Sequence, residues 1–141
     1  MLSRTAIYAV RALSYLASLE GETPVLSREI AEALDLPSHF LAKILGRLSL
    51  EGILESSRGK KGGFRLARPS SEIYLLEIVD PFDRLTNQDD CLLRNGSCSS
   101  GAHCSLHEGW AMVRESIIGF LDSTSLETVG KQGGIEPGFG R

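Results

Sequence analysis

Three cysteines make up the whole cysteine complement of this 141-residue chain, and all fall in one polar stretch, D-C-L-L-R-N-G-S-C-S-S-G-A-H-C-S-L-H, spaced Cys91-x6-Cys98-x5-Cys104-x2-His107. Three thiols and an imidazole so close together are ligands for a metal centre. Packing is a poor alternative, because buried structural cysteines behave as small hydrophobes and these lie among Gly96, Ser97, Ser99, Ser100 and Gly101. A disulfide framework calls for an even count and an oxidising compartment. The count here is odd, and M-L-S-R-T-A-I-Y-A-V lacks the features of a secretion signal, so reduced thiols in a cytoplasm are expected. Structural zinc commonly uses C-x2-4-C knuckles, whereas the wider gaps on a Gly/Ser loop suit an iron-sulfur cluster. Three readings stay open on spacing alone: a cluster, zinc or another single metal, and thiol oxidation without metal.

A second set of residues bears on polyanion binding. Net charge is -3, yet residues 1–68 carry ten Lys/Arg against seven acids, while residues 69–141 carry five against eleven. A basic N-terminal half on an acidic chain points to a localised polyanion-binding face. Its densest part is R-G-K-K-G-G, followed by Arg65. A glycine-rich turn with basic residues could cradle a nucleotide phosphate, but the Gly-Lys-Ser/Thr of a P-loop opening a helix is absent. No membrane span is expected, since apolar runs such as Ile73 to Val79 are short and carry Glu77.

The elements that would position these residues follow from periodicity. Ile7, Val10, Leu13 and Leu16, with Ala6, Ala9, Ala12 and Ala17, predict a buried helix over Ser3 to Glu20, ended by Gly21. Ser27 is the expected cap of a short helix from Arg28 to Leu34. Asp35-Leu36-Pro37 breaks that helix, and Ser38 is expected to cap a third, His39 to Glu51. Two short helices joined by a tight turn are a helix-turn-helix. Phe40, Leu41, Ile44, Leu45 and Leu48 have core spacing in the third helix, which leaves Ser38, His39, Ala42, Lys43 and Arg47 to project outward. Recognition helices read base edges mainly from their N-terminal residues, so Ser38, His39 and Lys43 are candidates for bases or nearby phosphates and Arg47 for phosphate. Arg28, opening the second helix, joins the candidate DNA-binding set. Strand-like Ile53 to Ser57 and Phe64 to Arg68 flank the glycine turn, making a hairpin after a helix-turn-helix, the wing of a winged-helix domain. There Arg58, Lys60, Lys61 and Arg65 could track phosphates or enter a narrow minor groove.

Downstream, Ile73 to Asp83 predicts a short helix interrupted near Pro81. The cysteine loop follows. Leu106, Trp110, Val113, Ile117, Phe120 and Leu121 then mark one long helix, Leu106 to Asp122, whose wide apolar face predicts pairing with a second copy as well as some packing on the first helix. K-Q-G-G-I-E-P-G-F-G-R has the composition of a disordered tail. The expected fold is mainly α with a small β-hairpin, a winged helix-turn-helix plus a long C-terminal dimerisation helix. Its parts are the head (1–83), the cysteine-rich cluster-binding loop (84–105), the dimerisation helix and cap (106–129) and the tail (130–141).

Together these features resemble the Rrf2 family of bacterial transcriptional regulators, particularly its iron-sulfur-binding members, from Met1 to Val129. The resemblance rests on the Y-A-V-R-A-L helix, S-H-F-L-A-K-I-L-G-R-L followed by E-G-I-L, the S-x-R-G-x-x-G-G-F-R-L wing, the three-cysteine loop, and Trp110 on the helix ending T-S-L-E-T. It implies a homodimer whose long helices cross, wings flanking a palindromic double-stranded DNA operator, and repressor or activator function. It also implies Arg58 in the minor groove, Lys60 and Lys61 on phosphates, and Ser38, His39 and Lys43 in the major groove. Cys91, Cys98 and Cys104 match the family's three thiolate ligands. Members with a 2Fe-2S cluster can use a histidine three residues after the last cysteine, the place of His107. Others use an acidic residue in the partner's first helix, where this chain offers Tyr8 and no acid before Glu20. The resemblance thus favours His107 and places 2Fe-2S slightly ahead of 4Fe-4S, with His103 a solvated neighbour. Some members carry an acid at the position of Ala42 that discriminates operators. The implied regulator senses iron-sulfur status, redox or nitric oxide. No small-molecule substrate is expected. A metal-binding enzyme or electron carrier ranks last, because no acid, base and nucleophile constellation accompanies the cysteines.

Overall fold

Ser3 sets the first boundary: its hydroxyl accepts the amide of Ala6 at 3.1 Å and caps α1 (Arg4–Ser18). Its own amide donates to Asp83 Oδ2 at 2.8 Å, and its hydroxyl also bonds Asp83 Oδ1. The computed structural model describes residues 2–19, 23–87, 90–91, 94–97 and 105–131, with 90–91, 94–97 and 131 described as backbone. The expected Glu20–Gly21 helix end and residues 132–141 of the expected tail lie outside them. Ala6, Ala9, Ala12, Leu13 and Leu16 form the buried face of α1. Ile7, expected on that face, is exposed, because it falls about 100° around the helix from Ala6.

Helix α2 (Ser27–Leu34) and helix α3 (Ser38–Leu50) make the helix-turn-helix. The caps differ from expectation. Leu26 and Pro37 hold the cap positions without side-chain hydrogen bonds, and Ser27 and Ser38 are first helical residues. Proline suits the start of α3 because an amide there has no helical partner to lose. Asp35 closes α2 in the left-handed region, φ 53°, and Leu36 N–H donates to Ala31 O at 2.9 Å. Buried Arg11 of α1 donates Nη2 to Leu34 O at 3.3 Å, supplying a cation to a helix end with no basic residue of its own. Its Nε has no partner among the described residues. Leu41, Ile44, Leu45 and Leu48 enter the core as expected, but Phe40 stays half-exposed, edge-on to Tyr8 with centroids 6.0 Å apart.

Strands β1 (Leu54–Ser57) and β2 (Gly63–Leu66) pair antiparallel from Leu54↔Leu66 to Ser57↔Gly63. Val25 adds a rung on the far side of β2, exchanging hydrogen bonds of 2.9 and 2.8 Å with Phe64. At Gly63 φ is +136° and a Cβ would meet Val25 C and O at 2.4 Å, so only glycine lets this third segment approach.

After a 3-10 turn at Ser70–Glu72, helix α4 (Leu75–Asp83) starts with Tyr74 N–H donating to Glu77 Oε2 at 3.0 Å. The expected interruption at Pro81 does not occur. Proline so near the C-terminus removes one hydrogen bond and the last turn tolerates it. Arg84, at φ 51°, then closes the helix through Asp80 O at 2.9 Å. Leu75, Ile78 and Val79 bury α4 against α1 and α3. Where an irregular loop was expected, β3 (Asp90–Cys91) and β4 (Arg94–Ser97) form a two-stranded ribbon. Helix α5 (His107–Ser123) and helix α6 (Leu126–Lys131) complete the described chain. Leu75 N–H to Thr124 O at 3.0 Å and Leu126 N–H to Ile73 O at 2.7 Å tie their junction to the start of α4. Helix α5 thereby lies on α4 and α6 on α1, with Leu121 and Leu126 in the core. No helix among the described residues is long and apolar enough to cross a membrane.

Candidate nucleic-acid interface and cysteine loop

The cationic residues of the helix-turn-helix and the wing divide into those held by carboxylates and those reaching solvent. Arg65 lies directly opposite Glu55 across the hairpin and pairs with it at 2.7 Å. It therefore braces the wing rather than extending its cationic edge. Arg47 pairs with Glu51 one turn on, at 3.0 Å, a partner that DNA phosphate would have to displace. Arg68 pairs with Glu77 at 2.6 Å and donates to Glu72 O, fastening the end of the wing to α4. Arg58, Lys60 and Lys61 are all exposed on the turn joining β1 to β2, where Gly62 N–H donates to Gly59 O at 3.0 Å. A Cβ at Gly62 would press on Ser57 O at 2.5 Å, so the turn owes its tightness to residue 62.

Arg28, Ser38, His39 and Lys43 are exposed as well: Arg28 begins the outer face of α2 and the others occupy the first two turns of α3. Leu41, Ile44, Leu45 and Leu48 fix the rotation of α3 by entering the core, which turns residues 39 and 43, one helical turn apart, to the same side. The structure thus brings together on α3 the polar set picked out from the sequence, with Arg47 engaged by Glu51. Ala42 is half-buried and contributes no charge.

Of the candidate metal ligands, His107 is described, exposed, and the first residue of α5. The backbone of Cys91 ends β3, while its side chain and all of Cys98, His103 and Cys104 lie outside the described residues. The donor set itself fits an iron-sulfur cluster: thiols and imidazole are its ligand types, and the sequence from Asp83 to His107 carries three thiols and the His107 imidazole. Among the described residues no three His, Cys, Asp or Glu side chains converge to hold an ion.

Two buried arginines escape a reading by periodicity. Arg11 sits on the core side of α1, and Arg114 of α5 is 7% exposed and donates Nη1 to Asn87 O at 3.1 Å. The only signal for either is an arginine interrupting an otherwise apolar helical stripe.

Residues 2–132 match the Rrf2 family, described as iron-dependent transcriptional regulators. The IscR transcriptional regulator of Photorhabdus laumondii is 34% identical over 120 residues, spanning 85% of this chain and 73% of its own. Among solved structures, T. potens IscR superposes with a TM-score of 0.74 at 28% identity, covering 94% of this chain and 87% of that one. The oxidised form of Staphylococcus aureus CymR gives 0.73 at 25% identity, covering 93% and 96%. Winged head, long helix and matched length agree, and the chain belongs to the Rrf2 family of transcriptional regulators.

Proposed function

We propose that the chain is a homodimeric DNA-binding regulator whose operator affinity is set by an iron-sulfur cluster held by Cys91, Cys98, Cys104 and His107. What carries the reading is the coexistence on one frame of an exposed cationic row on α3 and the wing with a cysteine-bearing loop that leaves α4 and ends at His107 on α5. Its DNA contacts are Ser38, His39 and Lys43 in the major groove, Arg58 in the minor groove, and Arg28, Arg47, Lys60 and Lys61 on phosphates of a palindromic site. The family description as iron-dependent supports an iron group in the loop. Bound there, a cluster would supply one-electron redox chemistry and, at a histidine position, iron less firmly held than by thiolate. A 2Fe-2S form accords with His107 as the one histidine among the four proposed ligands. The second reading replaces the cluster with thiol oxidation or zinc in the same loop, and it is favoured by the likeness to a CymR solved in an oxidised form.

Anaerobic purification with iron, sulfide and zinc analysis separates these. A coloured protein with stoichiometric iron and sulfide is the expected result; zinc alone, or neither metal, would move the reading to its rival. Operator DNA selected from a random pool is then titrated with loaded and cleared protein at one salt concentration. Equal affinities would overturn control through the cluster.

A further inference from the structure

Between Arg84, which closes α4, and the cysteine-bearing ribbon runs a short strap, Leu85, Thr86 and Asn87, fastened on both flanks. Asp80 of α4 accepts two hydrogen bonds from Thr86, the amide at 2.9 Å and the hydroxyl at 2.6 Å. Arg114 of α5 donates to the Asn87 carbonyl at 3.1 Å, and the Asn87 amide turns back to Arg84 O at 3.1 Å. Burying a guanidinium is costly unless its donors are met, so an arginine here does something that a leucine filling the same space would not.

Its place along the chain suggests what that is. Arg114 lies seven residues after His107, roughly 10 Å along α5 and on nearly the same face. Asn87 lies four residues before Cys91, so their Cα atoms are at most about 14 Å apart. The Arg114–Asn87 hydrogen bond therefore ties together the two segments that carry the outermost candidate ligands, Cys91 and His107. On the other flank, Asp80 and Thr86 line a groove together with Arg47 and Glu51 from the end of the recognition helix. Helix α4 itself packs on α1 and α3.

We propose that Arg114 and Asp80 are positioning residues that lock this strap to α5 and α4, so that the ligand state of the cysteine loop is transmitted to the DNA-binding head. The inference rests on the reading of the loop as a sensor. With the strap locked, drawing Cys91 and His107 toward a common centre braces α4 against α5. With the strap slack, the same movement is absorbed locally and the head does not feel it, because a ligand shifts an equilibrium only by its differential interaction with the two states.

The test compares operator affinity of loaded and cleared protein for the wild type, Arg114→Met, Arg114→Lys and Asp80→Ala. Coupling of this kind is commonly about 5–150-fold. The Met and Ala variants are expected to keep their iron and sulfide but lose most of that ratio, and the Lys variant, which can still donate to Asn87 O, to retain much of it. The ratio separates transmission from simple damage, since loss of folded protein lowers both affinities together. Asp80 and Thr86 meet at the surface, so Asp80→Ala leaves the core intact should Arg114→Met fold poorly. A readout without any cluster is amide exchange of the cleared protein, in which Thr86 and Asn87 lose protection while α3 keeps it. A wild-type ratio in both Arg114→Met and Asp80→Ala, or unchanged exchange, would overturn the lock alone. A wild-type ratio of one would overturn the sensor reading and the lock with it.

Discussion

At Gly63 two demands meet, a φ of +136° and a backbone segment so close that a Cβ would lie 2.4 Å from Val25. Positive φ in a non-glycine residue costs about 1–3 kcal/mol, and here the collision is with backbone, which cannot rotate away. Gly63→Ala is therefore expected to lower unfolding free energy by at least about 1–3 kcal/mol, read as an earlier urea midpoint, and to weaken DNA binding by displacing the wing. Gly59→Ala, with open space around its Cβ position, carries only the φ penalty and should cost less. An equal loss in both would refute the contact with Val25. The R-G-K-K-G-G turn was legible in sequence, but the reason for its last glycine was not, because Val25 is distant in sequence and joins only through the fold. Arg11 and Arg114 were hidden for a related reason: a cation within an apolar stripe reads as solvated until the carbonyl it serves, Leu34 O or Asn87 O, is brought to it.

Element by element, α5 carries the largest unmet demand. Leu106, Val113 and Phe120 recur every seven residues and are 47%, 50% and 63% exposed, whereas Glu108, Glu115 and Asp122 repeat at the same interval on a solvated side. A seven-residue apolar repeat is the pattern by which two helices supercoil, so a second copy of α5 is the fitting cover for it. Phe120→Glu, at an exposed site, should leave the monomer folded by circular dichroism and convert a sedimenting dimer to monomer. Losing the second head removes avidity, and operator affinity should fall by about 100-fold or more. A Phe120→Glu protein that remained dimeric would place the interface elsewhere. The order and type of α1 to α5 were legible because their apolar periods are strong, whereas α6, at six residues, is too short to show one and was not expected. The caps were misread because Leu26 and Pro37, not the serines, sit where the backbone turns into the helix. The pairing of Asp90–Cys91 with Arg94–Ser97 was missed because D-C and R-N-G-S show neither strand alternation nor β-branched residues.

For the whole molecule, charge is the organising quantity. The positive surplus of residues 1–68 survives folding in part: Arg47, Arg65 and Arg68 are engaged by carboxylates, leaving Arg28, Lys43, Arg58, Lys60 and Lys61 as the exposed candidates. Ion pairing is thus what separates the surplus counted in sequence from the surface offered to DNA. Were the four phosphate contacts of the proposed interface, Arg28, Arg47, Lys60 and Lys61, made in both subunits, log affinity against log salt would fall with a slope of about -7. Lys60→Ala with Lys61→Ala should reduce that slope by about 4 units and weaken binding evenly across DNA sequences. Arg58→Ala should instead relax preference for A·T-rich steps, where a narrow minor groove attracts arginine. Replacing Cys91, Cys98 and Cys104 together by alanine should leave the slope on non-specific DNA unchanged, because the loop belongs to the acidic half and touches no phosphate in this scheme. A slope altered by the cysteine replacements, measured by fluorescence anisotropy over a salt series, would put the loop itself in the DNA interface and end the division between a cationic head that binds and a thiol loop that informs it.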